Sequence, residues 1–248
     1  MQLFGLTDIG LRRSLNEDSY FCGTNANGDS LLLVCDGIGG ANSGEVASSM
    51  AVEIISQAFE KAPVFYKDYE VDEWLRMVLN KANDSIYSKS MWTRKNRGMG
   101  TTAAGALVCE IGTYIFNAGD SRVYALYDGE LIQMSEDHSY VQQLVKENKI
   151  TLDEARKHSK RNTLTNALGV WRIFRIDINK IKSNWSLLLI CSDGLHGYAP
   201  LKTVQTICRS RRALETKAKA LIELANDEGG GDNITVVLGA RDNAGTDR

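Results

Sequence analysis

The chain has 248 residues, 43% hydrophobic and 24% charged, the make-up of a globular protein with a sizeable core. Its 29 Lys and Arg against 31 Asp and Glu leave a net charge of −2, too weak a field to hold a polyanion or an anionic membrane, which sets nucleic acid aside as a partner. No apolar stretch approaches the ~20 residues of a spanning helix, residues 1–10 do not form an export signal, and five widely spaced cysteines in mostly apolar runs fit a reduced, cytoplasmic protein.

Strands are expected first, at 3–7, 19–22 and 31–35, with Asn27-Gly28 as a hairpin turn. The period then changes. Val46, Ala47, Met50, Ala51, Ile54, Ile55, Ala58 and Phe59 keep the spacing of one helical face, and a second face runs from Val71 to Ile86. A short connection carrying Pro63 predicts that these helices pack antiparallel over a sheet. Strands are expected again at 101–109, 113–117, 122–127 and 130–134, in the close succession of an antiparallel meander.

Residues 138–169 interrupt this pattern with a polar, partly helical stretch that reads as an inserted flap, in which Thr151 and Glu154 have capping-box spacing. Strands at 173–178 and 186–191, a helix at 214–225 and a last strand at 234–240 complete the chain. Strands and helix pairs in blocks predict an α+β fold with face-to-face antiparallel sheets and helices outside, a doubly wound parallel sheet being the alternative. With only Pro63 and Pro200 and no Ser/Gly-rich linker, 1–248 is expected to be one domain.

Two apolar runs end in Asp-Gly: Leu31–Cys35 before Asp36-Gly37, and Leu187–Cys191 shortly before Asp193-Gly194. Asp128-Gly129 is the control, because strands flank it on both sides and a type I′ turn explains it. A carboxylate at the rim of a strand buried on both faces is held rigidly yet reaches solvent, as a metal ligand must. Glycine beside it permits close backbone approach, so the Gly37 carbonyl is a candidate ligand as well. Asp232-Asn233 after three glycines, Asp120 after Gly119, and Asn16-Glu17-Asp18 fit the same picture.

His138, His158 and His196 are far apart and no CxxC is present, so an all-oxygen site favours Mn²⁺ or Mg²⁺ over zinc. Crowded carboxylates repel one another, and divalent ions are the natural way to tolerate them. Two such ions can activate water for in-line attack at phosphorus, which is hydrolysis of a phosphoester. A cation for the phosphoryl oxygens is also needed, and Arg12 and Arg13 are equal candidates on spacing alone.

GLRRSLNED (10–18), VCDGIGG (34–40), GMGTT (98–102), AGDSR (118–122), CSDG (191–194) and GGGDN (229–233) occur in this order, and together they resemble the metal-dependent PP2C-class protein phosphatases of the compact bacterial type. The resemblance spans nearly the whole chain. It implies an α-β-β-α sandwich with metals at one end and a flap near 138–169. Asp36 would bridge two ions, with Asp193 and Asp232 completing one shell and Glu17 and the Gly37 carbonyl the other. Asp18 would orient water, Asp120 with Asp193 would form a weaker third metal site, and Asn233 would hold Asp232. The pattern G-x-x-R-x-x-N-E-D selects Arg13 as the phosphate-binding arginine and leaves Arg12 on the surface. Ile38 stands where eukaryotic members carry a histidine proposed as general acid, so water is expected to supply that proton here.

The substrates implied are phosphoserine and phosphothreonine proteins, which makes a Ser/Thr kinase the partner whose action is reversed. A monomer is the default expectation. Two alternatives accompany this reading: a catalytically inactive domain that binds phosphoproteins, and a phosphatase for small phosphoesters. The three histidines are expected to be structural or on the surface, and Gly98 and Gly100 to serve backbone packing rather than phosphate binding.

Overall fold

The computed structural model describes residues 1–39, 43–92 and 94–241. Strands β1 (Gln2–Asp8), β2 (Asp18–Thr24) and β3 (Ser30–Ile38) come first, followed by helices α1 (Gly44–Glu60) and α2 (Asp68–Trp92). A meander follows: β4 (Gly100–Thr101), β5 (Ala103–Cys109), β6 (Gly112–Ala118), β7 (Arg122–Tyr127) and β8 (Glu130–Gln133). Residues 138–169, the stretch expected to be a flap, carry α3 (Tyr140–Lys146) and α4 (Leu152–Lys157). The chain then runs through β9 (Asp177–Ile181), β10 (Leu187–Cys191), α5 (Asp193–His196), α6 (Leu201–Arg209), α7 (Leu214–Asp227) and β11 (Ile234–Ala240).

One sheet has the order β1-β11-β10-β7-β8 and the other β2-β3-β5-β6-β9, with β4 joined to β3, and every pairing is antiparallel. The parallel alternative is thereby set aside. Alternation along β3 explains the layering. Leu31, Leu33 and Cys35 face α1 and α2, where they meet Ile55, Leu75, Val78 and Leu79, while Leu32 and Val34 face the other sheet and meet Val123, Leu188, Ile190 and Val237. A third apolar layer, with Leu189, Leu221, Val236 and Leu238, joins the second sheet to α6 and α7. An antiparallel strand thus reads as continuously apolar because helices cover one of its faces and a second sheet the other.

The 138–169 stretch is pinned at both ends. His138 accepts at Nδ1 from the Asn166 side chain (2.8 Å) and, more loosely, from the Gly119 amide (3.3 Å), which leaves Nε2 to donate to Asp177 at 3.0 Å. Backbone bonds from Tyr140 to Thr163 and between Thr101 and Leu168 close its base. The capping box at Thr151 forms as expected. The strand expected at 173–178 instead starts at Asp177, because the backbone around 169–176 is engaged by helix α2: Asn83 bonds the Gly169 amide and the Arg172 carbonyl, and Arg76 the Ile176 carbonyl.

Candidate active site

The acidic residues gather at one end of the sandwich, and each reaches it from a different element. Asp18 opens β2 and lies directly opposite Asp36 on β3. Beyond Cys35, β3 leaves β5 and pairs with the short β4 instead, so Asp36 and Gly37 lie where the sheet divides. The Asp36 backbone is fixed on both sides: its amide donates to Thr102 Oγ1, and its carbonyl accepts from the Thr102 amide and the Thr101 hydroxyl. Gly37 is pressed against Gly44 and Glu17, and an added Cβ would run into the carbonyl groups of both. This is the close approach that glycine alone permits.

From the other sheet, Asp193 follows β10 as the first residue of α5 rather than standing in a loop, and Asp232-Asn233 precedes β11. Asp120 lies between β6 and β7, after Gly119 at φ 124°. Asn233 does more than hold Asp232. Its amide bonds Asp232 Oδ1 at 2.8 Å, its side-chain oxygen accepts from the Glu17 amide, and its side-chain nitrogen donates to the Ile9 and Leu15 carbonyls. The loop that carries Arg13 and Glu17 is thereby tied to the strand that carries Asp232. Glu17 Oε1 accepts from the Gly44 amide, which places its charge at the N-terminus of α1, where the helix dipole favours an anion.

Arg13 donates to Asp232 Oδ2 at 2.8 Å with 47% of its side chain exposed, and Arg12 is exposed. Of a guanidinium's five N–H donors this contact uses one, so the others stay available beside the acids.

The electrostatics match this crowding. Burial, and then the neighbouring Asp18, Asp193, Asp120 and Asp232, hold the Asp36 carboxyl well above the ordinary carboxylate range. Burial and then Asp193 raise Asp120 similarly. Asp193 is pushed up to about 6 and Asp18 to about 7, in each case first by burial. Asp18 is further secured by Ser192 Oγ at 2.8 Å and Thr235 Oγ1 at 2.6 Å, both on its Oδ2, and these bonds stitch the two sheets together at the site.

The roles of Ser192, Thr235, Thr102 and Ser121 escaped the sequence reading, whereas His196 is structural, as expected. Ser192 and Thr235 stand next to or near the acid motifs, and that proximity was the available signal. Thr102 and Ser121 share a buried hydroxyl pair at 2.7 Å. His196 bonds the Asp120 carbonyl through Nε2 at 3.0 Å, and burial pushes it down to about 3, so it is a neutral prop at neutral pH.

A cofactor for this site must supply positive charge to hard oxygen donors. The donors are carboxyl groups and a backbone carbonyl, with one arginine against several acids, and this suits Mn²⁺ or Mg²⁺. Among the described residues no three His, Cys, Asp or Glu side chains by themselves compose a ligand set, so an ion would also draw on backbone carbonyl and water oxygens, as Mg²⁺ commonly does.

Comparison with known proteins bears on this arrangement. The family model for protein phosphatase 2C matches residues 12–234. The chain is 37% identical over 237 residues to the serine/threonine phosphatase stp of Listeria monocytogenes, covering 95% of this chain and 94% of that one. Among solved structures it resembles the serine/threonine phosphatase Stp1 from Staphylococcus aureus, with a TM-score of 0.89, 32% identity and coverage of 97% and 95%. It also resembles the serine/threonine phosphatase PstP/Ppp of Mycobacterium tuberculosis, with a TM-score of 0.83, 32% identity and coverage of 96% and 97%. Six ordered motifs, the two-sheet sandwich and these matches lead to one assignment: the chain belongs to the protein phosphatase 2C family.

Proposed function

We propose that the protein hydrolyses phosphoserine and phosphothreonine in proteins, with water attacking phosphorus in line and no covalent enzyme intermediate. The observation that carries this reading is the convergence of Asp18, Asp36, Asp120, Asp193 and Asp232 from both sheets beside Arg13. The family is metal-dependent. Asp36, Asp193 and Asp232 would hold one ion, Asp36, Glu17 and the Gly37 carbonyl a second, and Asp120 with Asp193 a weaker third. When bound, Mn²⁺ or Mg²⁺ neutralises phosphoryl charge and lowers the pKa of water.

The chain's own residues do the rest. Arg13, steadied by Asp232, turns its remaining donors to the phosphoryl oxygens. Asp18 is fixed through Oδ2 by Ser192 and Thr235 and keeps Oδ1 to orient the attacking water. As the ester P–O bond breaks, the departing alcohol oxygen takes a proton from water. Ile38 carries no proton to give, and His196 is neutral and engaged with the Asp120 carbonyl.

Residues 1–248 are read as one phosphatase domain with its flap at 138–169, acting as a monomer against a Ser/Thr kinase. No helix among the described residues is long and apolar enough to cross a membrane. The free cysteines support a reducing, cytoplasmic setting.

The test is phosphate release from a phosphothreonine peptide with Mn²⁺, with chelator, and with Asp36→Asn. Release that requires the ion and is lost in the variant is expected. A folded protein that releases none under any condition would overturn the enzyme reading in favour of phosphoprotein binding.

A further inference from the structure

Beside Asp120 and Asp193 a cavity of about 680 Å³ opens between the flap and the core. A phosphate group with its nearest atoms fills only the carboxylate end of such a space, which is of the size that takes a drug-sized ligand. The charges along its wall are largely spent within the chain. Arg122 makes a paired contact to Asp137, with Nη2 at 2.6 Å, and bonds the Tyr124 hydroxyl, while Glu136 is paired with Lys146 at 2.6 Å. Arg161 stands on the Tyr198 side, toward the phosphate end.

Part of the lining is aliphatic, beside polar Gln133, Ser139, Gln142 and Asn162. Leu152 opens flap helix α4 and is 63% exposed, and Leu201 opens α6 and is 47% exposed; both line this cavity, with Ala155, Ala199 and Val204 behind them. Two leucines held open to solvent on separate elements, across a space continuous with the acids, form an apolar slot that the chain itself does not fill.

We propose that this slot receives an aliphatic side chain of the substrate protein within a few residues of the phosphorylated one, so that the flap and α6 together select substrates by their flanking sequence. The proposal rests on the phosphoprotein phosphatase reading above and deepens it. A peptide that delivers its phosphoresidue to the carboxylates must leave along the surface, and the cavity is continuous with that point. Binding energy gained there, away from the reacting atoms, raises kcat/KM for matching substrates.

The experiment compares phosphothreonine peptides in which Leu or Asp is placed in turn at each of the four positions on either side, with p-nitrophenyl phosphate alongside. At one position the leucine peptide is expected to exceed the aspartate peptide in kcat/KM by about tenfold or more, as apolar pockets discriminate. In the Leu152→Ser/Leu201→Ser double variant that ratio should fall to near one. Both substitutions are at exposed first positions of helices, where serine is tolerated. Equal kcat/KM for leucine and aspartate at every position, or a ratio unchanged in the double variant, would overturn the inference while leaving the phosphatase reading intact. Turnover of p-nitrophenyl phosphate with no hydrolysis of any peptide would overturn both.

Discussion

Asp36-Gly37 and Asp128-Gly129 are the same two residues in opposite circumstances. At 128–129 the pair turns the β7–β8 hairpin, with φ of 48° and 87°, and its aspartate side chain faces solvent. At 36–37 the pair ends a buried strand, its glycine is wedged against Gly44 and Glu17, and its carboxyl faces four others. The turn stabilises the fold it belongs to. The rim costs stability, since like charges are held together by a scaffold rigid enough to oppose their repulsion. A strained, charged arrangement of that kind persists only where it does something.

The sharpest way to break this comparison is Asp36→Asn against Asp128→Asn. The first should lower phosphate release by on the order of 10³-fold or more, yet raise the melting temperature in chelator by roughly 2–4 °C, because a neutral amide replaces a buried carboxyl crowded by four others. The second should leave both measurements within about 0.5 kcal/mol of the parent. The glycines should separate in the same direction. Gly37→Ala meets two backbone carbonyls that cannot yield, and should cost about 3 kcal/mol in chemical denaturation. Gly129→Ala carries the left-handed backbone penalty of about 1–2 kcal/mol and displaces no more than the flexible Arg209 side chain.

Ser192→Ala removes one of the two hydroxyls on Asp18 and should cost about 2 kcal/mol, together with a fall in kcat larger than any change in KM. A pH series sharpens the contrast further. Asp18 at about 7 and Asp193 at about 6 lie above the unfolded carboxylate value of about 3.9. Stability from groups raised in this way is fully present below the unfolded value and is lost as pH rises through the folded one. In chelator the melting temperature should therefore decline by a few degrees as pH rises from about 4 through 7. Saturating Mn²⁺ should remove that decline near neutral pH, and a melting temperature indifferent to both pH and Mn²⁺ would count against the crowding described here.

Much of this was legible in the residues. Asn27-Gly28, the two helical faces and the Thr151 capping box are local signals, and each formed where its chemistry required. The twofold alternation of β3 was visible only as a continuous apolar run, because its two faces are covered by different layers and both select for Leu and Val. Helices α5 and α6 were not anticipated. The first is four residues long, and the second spans only nine, although Leu201, Val204, Ile207 and Cys208 keep helical spacing in it. At the site the acids were evident from their positions after apolar runs, whereas the props were not. Ser192, Thr235, Thr102 and His196 act through partners 19 to 217 residues away, so apart from the nearness of Ser192 and Thr235 to the acid motifs no spacing in the sequence announces their roles.

The most direct measurement of the central claim is calorimetric titration of Mn²⁺ into the metal-free protein and into Asp36→Asn. Binding of at least two ions by the parent, with heat and affinity largely lost in the variant, is the predicted result. A parent protein that binds no Mn²⁺, or a variant that binds it as tightly and with the same stoichiometry, would contradict the claim that these carboxylates are gathered to hold metal.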